Sequence, residues 1–260
     1  MEPTTTALPV LLHIPLSHYN EKARWALDYK GIPHQRRIIG ANFHWRAWRA
    51  TGQAKTPILF LPDGRAVHDS TRIVEALEGL KPEPALYPPD GAMRRRALDL
   101  EDYLDEKLGP AIRASVMTPL FRHDPDVALR VLMTGMPKTY DRLRPFARVF
   151  PAFYRMRHNM RDDALEDDRA LVRAALDRVE SERDGRPYLV GEAFSIADLT
   201  AASLIAPLLQ PPELQYPIKV ELPAYLREFR ETLLRHPTFE WARGIYRRHR
   251  GISAEVPRNP

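Results

Sequence analysis

A change of periodicity at a proline-rich stretch constrains this chain more than any other feature. Up to Leu80 short apolar runs alternate with helical ones. After Lys81-Pro82-Glu83-Pro84-Ala85-Leu86-Tyr87-Pro88-Pro89-Asp90-Gly91 everything reads helical. Proline fixes φ and removes a donor, so this stretch is an extended connector. Before it, residues 8–15 are apolar with β-branched members, enough for one buried strand and too short for an ordinary helix. From Tyr19 the composition turns to good helix formers, and Gly31 followed by Pro33 ends that helix. Ile58-Leu59-Phe60-Leu61 reads as a second strand, closed by the turn Pro62-Asp63-Gly64-Arg65. Beyond the connector, helices are predicted over 92–115, parts of 126–136 and 140–158, then 167–183, 196–209, 223–234 and 239–247. The expectation is an α/β domain over 7–81, a linker over 82–91 and an all-helical domain over 92–250. A length of 260 residues suits two modest domains.

Three short segments of the first half carry chemistry. Ser17 falls at a strand-to-helix junction, where free N–H groups and the positive end of the helix dipole favour an anion, thiolate included. Serine is equally a common helix cap, so Ser17 alone supports both readings. Pro57 cannot donate to a central ladder and must open its strand or sit at an edge. Asp69-Ser70 opens a helix over 71–80, placing a hydroxyl and N–H groups for a carboxylate beside an acid for an ammonium. Lys55 is either a cation for a ligand carboxylate or a solvated surface lysine.

In their order and spacing these segments resemble the thioredoxin-like, glutathione-binding half of the soluble glutathione transferases. The residues that carry the resemblance are Ser17-His18-Tyr19-Asn20 running into Arg24-Trp25-Ala26-Leu27, then Lys55-Thr56-Pro57-Ile58-Leu59, then His68-Asp69-Ser70-Thr71-Arg72-Ile73. In the helical half, Phe194-Ser195-Ile196-Ala197-Asp198-Leu199 is similar to the family's Ser-x-x-Asp box, a capping device that starts a buried helix. The resemblance implies an α/β thioredoxin-like N-terminal domain followed by an all-α C-terminal domain. It implies glutathione as co-substrate, a small hydrophobic electrophile as its partner in reaction, and a homodimer. Ser17 would donate a hydrogen bond to the glutathione sulfur, with Tyr19 as the rival hydroxyl because tyrosine serves this role in some branches. Thr56, before a cis Pro57, would pair with the cysteinyl part. Asp69 and Ser70 would hold the γ-glutamyl end, and Lys55 the glycine carboxylate. Thr56 stands where valine is commoner and Ala54 where glycine is common, which leaves a non-catalytic binding or regulatory protein of the same fold as the alternative.

Composition removes other classes. With no cysteine, disulfides, thiolate metal sites and the thiol-dependent branch of the family are excluded, and a cytoplasmic setting is expected. The start lacks the basic flank of a signal peptide. The longest later apolar run, 199–209, is far short of the ~20 residues needed to span a bilayer, so no membrane partner is expected. The net charge of +5 is spread through arginines interleaved with acids, the pattern of solvated faces, so no nucleic-acid partner is expected either. His13, His18, His34, His44 and His68 form no helical ligand pair with a carboxylate, and no metal is expected. Glycine-rich phosphate loops and a nucleophile elbow are absent. Two stretches stay open. Residues 118–161, rich in proline, arginine and aromatics, either wall the cleft between the domains or form a longer helical pair packed on their own domain. Phe43, Trp45 and Trp48 line either an interface or an apolar co-substrate site.

Overall fold

The computed structural model describes residues 7–39, 48, 49, 51–53, 55–158 and 160–257. The first half builds a four-stranded sheet from β1 (Val10–His13), β2 (Gln35–Ile38), β3 (Ile58–Phe60) and β4 (Ala66–His68), in the order β2-β1-β3-β4. β1 and β2 run parallel, with Val10 opposite Gln35, and a parallel pair needs a crossover. Helix α1 (His18–Tyr29) supplies it. β3 pairs antiparallel with both β1 and β4, and the hairpin between β3 and β4 turns at Gly64, whose φ of 86° favours glycine. Helix α2 (Ser70–Leu80) then covers the same face of the sheet as α1.

Past the connector, α3 (Gly91–Tyr103) continues through a π-helical turn at Leu104–Leu108 into α4 (Gly109–His123). The helix predicted over 92–115 is therefore longer, and wound wider at the centre. Short helices α5 (Pro125–Leu132), α6 (Pro137–Leu143) and α7 (Phe150–Arg157) follow. The long helices α8 (Leu165–Arg183), α9 (Ile196–Leu209), α10 (Ala224–Leu234) and α11 (Pro237–His249) complete the bundle.

One apolar core runs through both halves. Trp25, Leu27, Ile73 and Leu77 from α1 and α2 join Leu100, Leu176, Leu199 and Tyr246 in a single buried cluster. Trp25 is fully buried, donates its indole N–H to the His249 carbonyl at 2.9 Å and lies 4.4 Å from the Tyr246 ring. α9 starts at the box foreseen in the sequence. Asp198 takes the Ser195 N–H and hydroxyl, both at 2.9 Å, and the Leu189 N–H at 2.8 Å. Residues 118–161 make a second cluster around Phe121, Leu129 and Tyr154, with Leu16 at its edge. Gly135 in this segment leaves room for Ile38 and Pro15, since a Cβ there would lie 2.7 Å from the Ile38 Cδ1. The segment thus packs on its own domain and also touches the turn that carries Ser17.

A buried ionic seam closes the domains over α1. Arg24 meets Glu21 at 2.9 Å, Arg36 meets Asp28 at 2.7 Å, and Arg250, past the end of α11, bonds Glu21 and Asp28 at 2.6 and 2.9 Å. Burial pushes the Glu21 carboxyl up, but Arg250 and Arg24 pull it further down, below the usual carboxylate range. Asp28 follows the same balance through Arg36 and Arg250. Residues after Arg250 continue onto the sheet edge, where the Val256 N–H reaches the His34 carbonyl at 2.8 Å.

Candidate active site

The apolar strand β1 ends at His13, and the turn Ile14–Leu16 delivers Ser17 to the cap position of α1 with extended φ and ψ of −77° and 125°. Its carbonyl accepts the Glu21 N–H at 2.9 Å, but its hydroxyl bonds no N–H of the first turn. The hydroxyl instead accepts from the Asn20 side-chain amide at 2.7 Å. That same amide nitrogen lies 3.3 Å from the Thr56 hydroxyl, and the Asn20 carbonyl oxygen accepts the Ile14 N–H at 3.2 Å. Asn20 is fully buried and ties the β1–α1 turn to the start of β3. It was not among the sequence candidates. Its position three residues after Ser17, on the same end of α1, was the only signal.

Thr56 is followed by a cis peptide to the buried Pro57, as the resemblance implied. Asp69 caps α2, accepting the Thr71 N–H at 2.9 Å, with φ at 77°. A positive φ at a non-glycine residue is uncommon and strained. The buried Ser70 begins the helix. Lys55 is exposed on the approach to β3. Ser17 and Thr56 are thus joined through Asn20, and Asp69 and Ser70 stand at the end of β4, two strands from β1. Ala54, Phe43 and Trp45 lie outside the described residues, and Trp48 is an exposed side chain.

The Tyr19 ring packs 4.5 Å from that of His18. Its hydroxyl donates to the Asp105 carbonyl at 2.7 Å, in the π-helical turn of the other domain. A Cβ on Gly109 would lie 2.1 Å from that hydroxyl oxygen, so only glycine admits the ring so close. Burial holds the phenol well above its ordinary range. Beside it, Lys22 joins Thr71 and Asp105, each at 3.2 Å, together with the buried Glu101. Burial raises the Asp105 carboxyl, opposed by Lys22 and reinforced by Glu101.

A narrow, solvent-open cleft lies between the β1–α1 turn and the C-terminal end of α9. Pro15, Leu16 and Ser17 form one wall, and Ala206, Leu214 and Ile218 the other. The Glu21–Arg24 pair lies in its lining, and Tyr216 covers Arg24 at 5.0 Å. His13, 5.2 Å from Tyr216, is driven to about 2 by burial and by Arg24, so its ring is neutral. The walls are mostly apolar; Glu21 and Arg24 are paired with each other, while the Nε2 atoms of His13 and His18 are buried without a hydrogen-bond partner among the described residues. Among the described residues no cluster of three metal-ligating side chains occurs.

The chain matches the family model of the glutathione S-transferase N-terminal domain over residues 11–85 and that of the C-terminal domain over 162–231. Together these take in more than half of its length. It is 26% identical over 204 residues to "Glutathione S-transferase TCHQD" of Arabidopsis thaliana, covering 76% of each protein. A glutathione S-transferase structure from Pseudomonas fluorescens superposes with a TM-score of 0.62 at 17% identity, over 95% of this chain and 99% of that one. Another, from Methylobacterium radiotolerans in complex with glutathione sulfonate, gives 0.57 at 21% identity, over 89% and 92%. These two likenesses bear on the fold. With both domain models matched in order along one chain, this protein belongs to the glutathione S-transferase family.

Proposed function

We infer that this protein is a glutathione transferase that activates the glutathione thiol for attack on small hydrophobic electrophiles. The observation that carries the inference is the Ser17 hydroxyl, held at 2.7 Å by the Asn20 amide. Asn20 occupies a lone pair of the oxygen, so the hydroxyl proton is left to point into the site. A hydroxyl that donates to sulfur stabilises the thiolate over the thiol, whose proton passes to solvent. The N-terminus of α1 adds its dipole at the same point. Tyr19 is less suited, because its proton already serves the Asp105 carbonyl.

The remaining groups are assigned by their chemistry. The Thr56 backbone pairs with the cysteinyl amide. Ser70 and the first N–H groups of α2 receive the γ-glutamyl carboxylate, and exposed Asp69 its ammonium. Lys55 faces the glycine carboxylate. The apolar cleft beside Ser17 takes the electrophile, whose carbon forms the new bond to sulfur as its leaving group departs. We assign the protein to detoxification in the cytoplasm, as a two-fold homodimer, the commonest symmetry. Light scattering at micromolar concentration should give about twice the chain mass, and a single-chain mass removes the dimer.

The test is retention on immobilised glutathione followed by thiol conjugation across a panel of electrophiles. Retention with turnover of apolar aryl or alkyl electrophiles is expected. Retention without turnover of any would make the protein a binding module of the same fold.

A further inference from the structure

Residues 137–161 take no part in the mechanism above, and their two faces differ sharply. Inward, Ala147 and Tyr154 are buried in the second core, the Tyr154 ring 5.1 Å from that of Phe121. Outward, Phe146 is 61% exposed, Val149 70% and Met156 74%. Side chains this exposed project from a surface and do not line a groove, so the face is not shaped to receive a peptide. The same segment carries six arginines and one lysine against a single acid, Asp141. Arg144, Arg155 and Arg161 have acidic partners, whereas Lys138, Arg142 and Arg148 are exposed with no ion pair among the described residues. Projecting apolar side chains interspersed along one segment with exposed cations that make no ion pair among the described residues are the chemistry of adsorption to an anionic bilayer.

We propose that this face docks shallowly onto an anionic lipid surface, with Phe146, Val149 and Met156 entering the headgroup–acyl boundary and Lys138, Arg142 and Arg148 meeting lipid phosphates. Among the described residues no helix is long and apolar enough to cross a membrane, and shallow adsorption needs none. A second copy is disfavoured because it would set like charges against like across the contact. The proposal is independent of the catalytic reading.

Sedimentation of the full chain with vesicles tests it. Vesicles of phosphatidylcholine containing about one third phosphatidylglycerol should bind at least roughly tenfold more tightly than phosphatidylcholine alone, and binding should fall steeply as salt rises. Phe146→Ser/Val149→Ser/Met156→Ser and Arg142→Glu/Arg148→Glu should each abolish sedimentation, with a circular-dichroism melt confirming the fold. Failure to bind anionic vesicles overturns the proposal, as does binding that both variants retain. Capture by soluble polyglutamate without vesicle binding overturns it in favour of an acidic protein partner. A dimer mass that the triple-serine variant halves, again without vesicle binding, assigns the face to a second copy.

Discussion

At Ser17 the decisive neighbour is three residues on in the chain. Asn20 donates to the Ser17 hydroxyl and accepts the Ile14 N–H, so Asn20→Ala frees the hydroxyl to rotate and orphans a partly buried N–H. Conjugation is expected to fall roughly tenfold in kcat/KM, and stability by about 1–3 kcal/mol, the cost of unpaired buried groups. Steady-state rates and a denaturant titration read the two effects, and wild-type rates in the variant would remove Asn20 from the mechanism. Tyr19→Phe loses one hydrogen bond to Asp105, about 0.5–1.5 kcal/mol, and should leave conjugation within about twofold. A collapse of turnover in that variant moves the thiol-activating hydroxyl to Tyr19. Ser17 was legible in the sequence because a strand, a turn and a helix start bracket it. Asn20 was not, because a side-chain bridge between two turns depends on where β3 comes to lie beside β1. Gly109 was hidden for the same reason, its partner Tyr19 being ninety positions away in another domain.

Among the elements, α9 was the most readable, since its start is set by contacts three residues apart. The structure adds what local reading lacked: Asp198 also takes the Leu189 N–H, and the Ser195 hydroxyl donates to the carboxylate. Asp198→Ala therefore leaves two buried N–H groups unpaired and should destabilise by about 2–4 kcal/mol, more than a simple cap. An unchanged denaturation midpoint would contradict that role. Helix α1 was the least readable in its environment. Glu21, Arg24 and Asp28 have the spacing of a solvated helical face, yet all three are buried. They are covered by Arg250 and the residues after it, from the far end of the chain, and no local pattern announces such a partner. Arg250→Ala takes one of two arginine partners from each of two buried carboxylates. It should cost about 3–5 kcal/mol, two charge-assisted hydrogen bonds at about 1.5–3 kcal/mol each, read by chemical denaturation. A loss below about 1 kcal/mol would show that water or Arg24 and Arg36 compensate.

For the whole molecule, burial of titratable groups fixes the response to pH. Burial and nearby arginines hold His13, at about 2, and His18 below their ordinary range, while burial lowers His34 against the Ile32 carbonyl. Groups depressed in the folded state contribute stability that is present above their unfolded value, about 6.5, and is lost as pH falls. Glu21 and Asp28 add a second loss below their unfolded values near ~4. Asp198, raised by burial to about 6, acts in the opposite sense: its contribution is present below about 4 and lost as pH rises through about 6. His249 is lowered by burial as well. The lowered histidines outweigh Asp198 and the raised Asp105, so the denaturant midpoint should already drop between pH 7.5 and 5.5, and His13→Gln should flatten the drop. A midpoint that rises over that interval contradicts the assignment. The two-part architecture was legible because periodicity changes at the connector, whereas the shared core and the ionic seam were not, being contacts between distant halves. The central claim, that the Ser17 hydroxyl stabilises the glutathione thiolate, is tested most directly by titrating the ultraviolet thiolate band of bound glutathione in the native protein and in Ser17→Ala. The band should move to higher pH in the variant by roughly one to two units, equivalent to ~1.4–2.7 kcal/mol, with affinity retained. The same titration in both proteins would contradict the claim and leave activation to the N-terminus of α1.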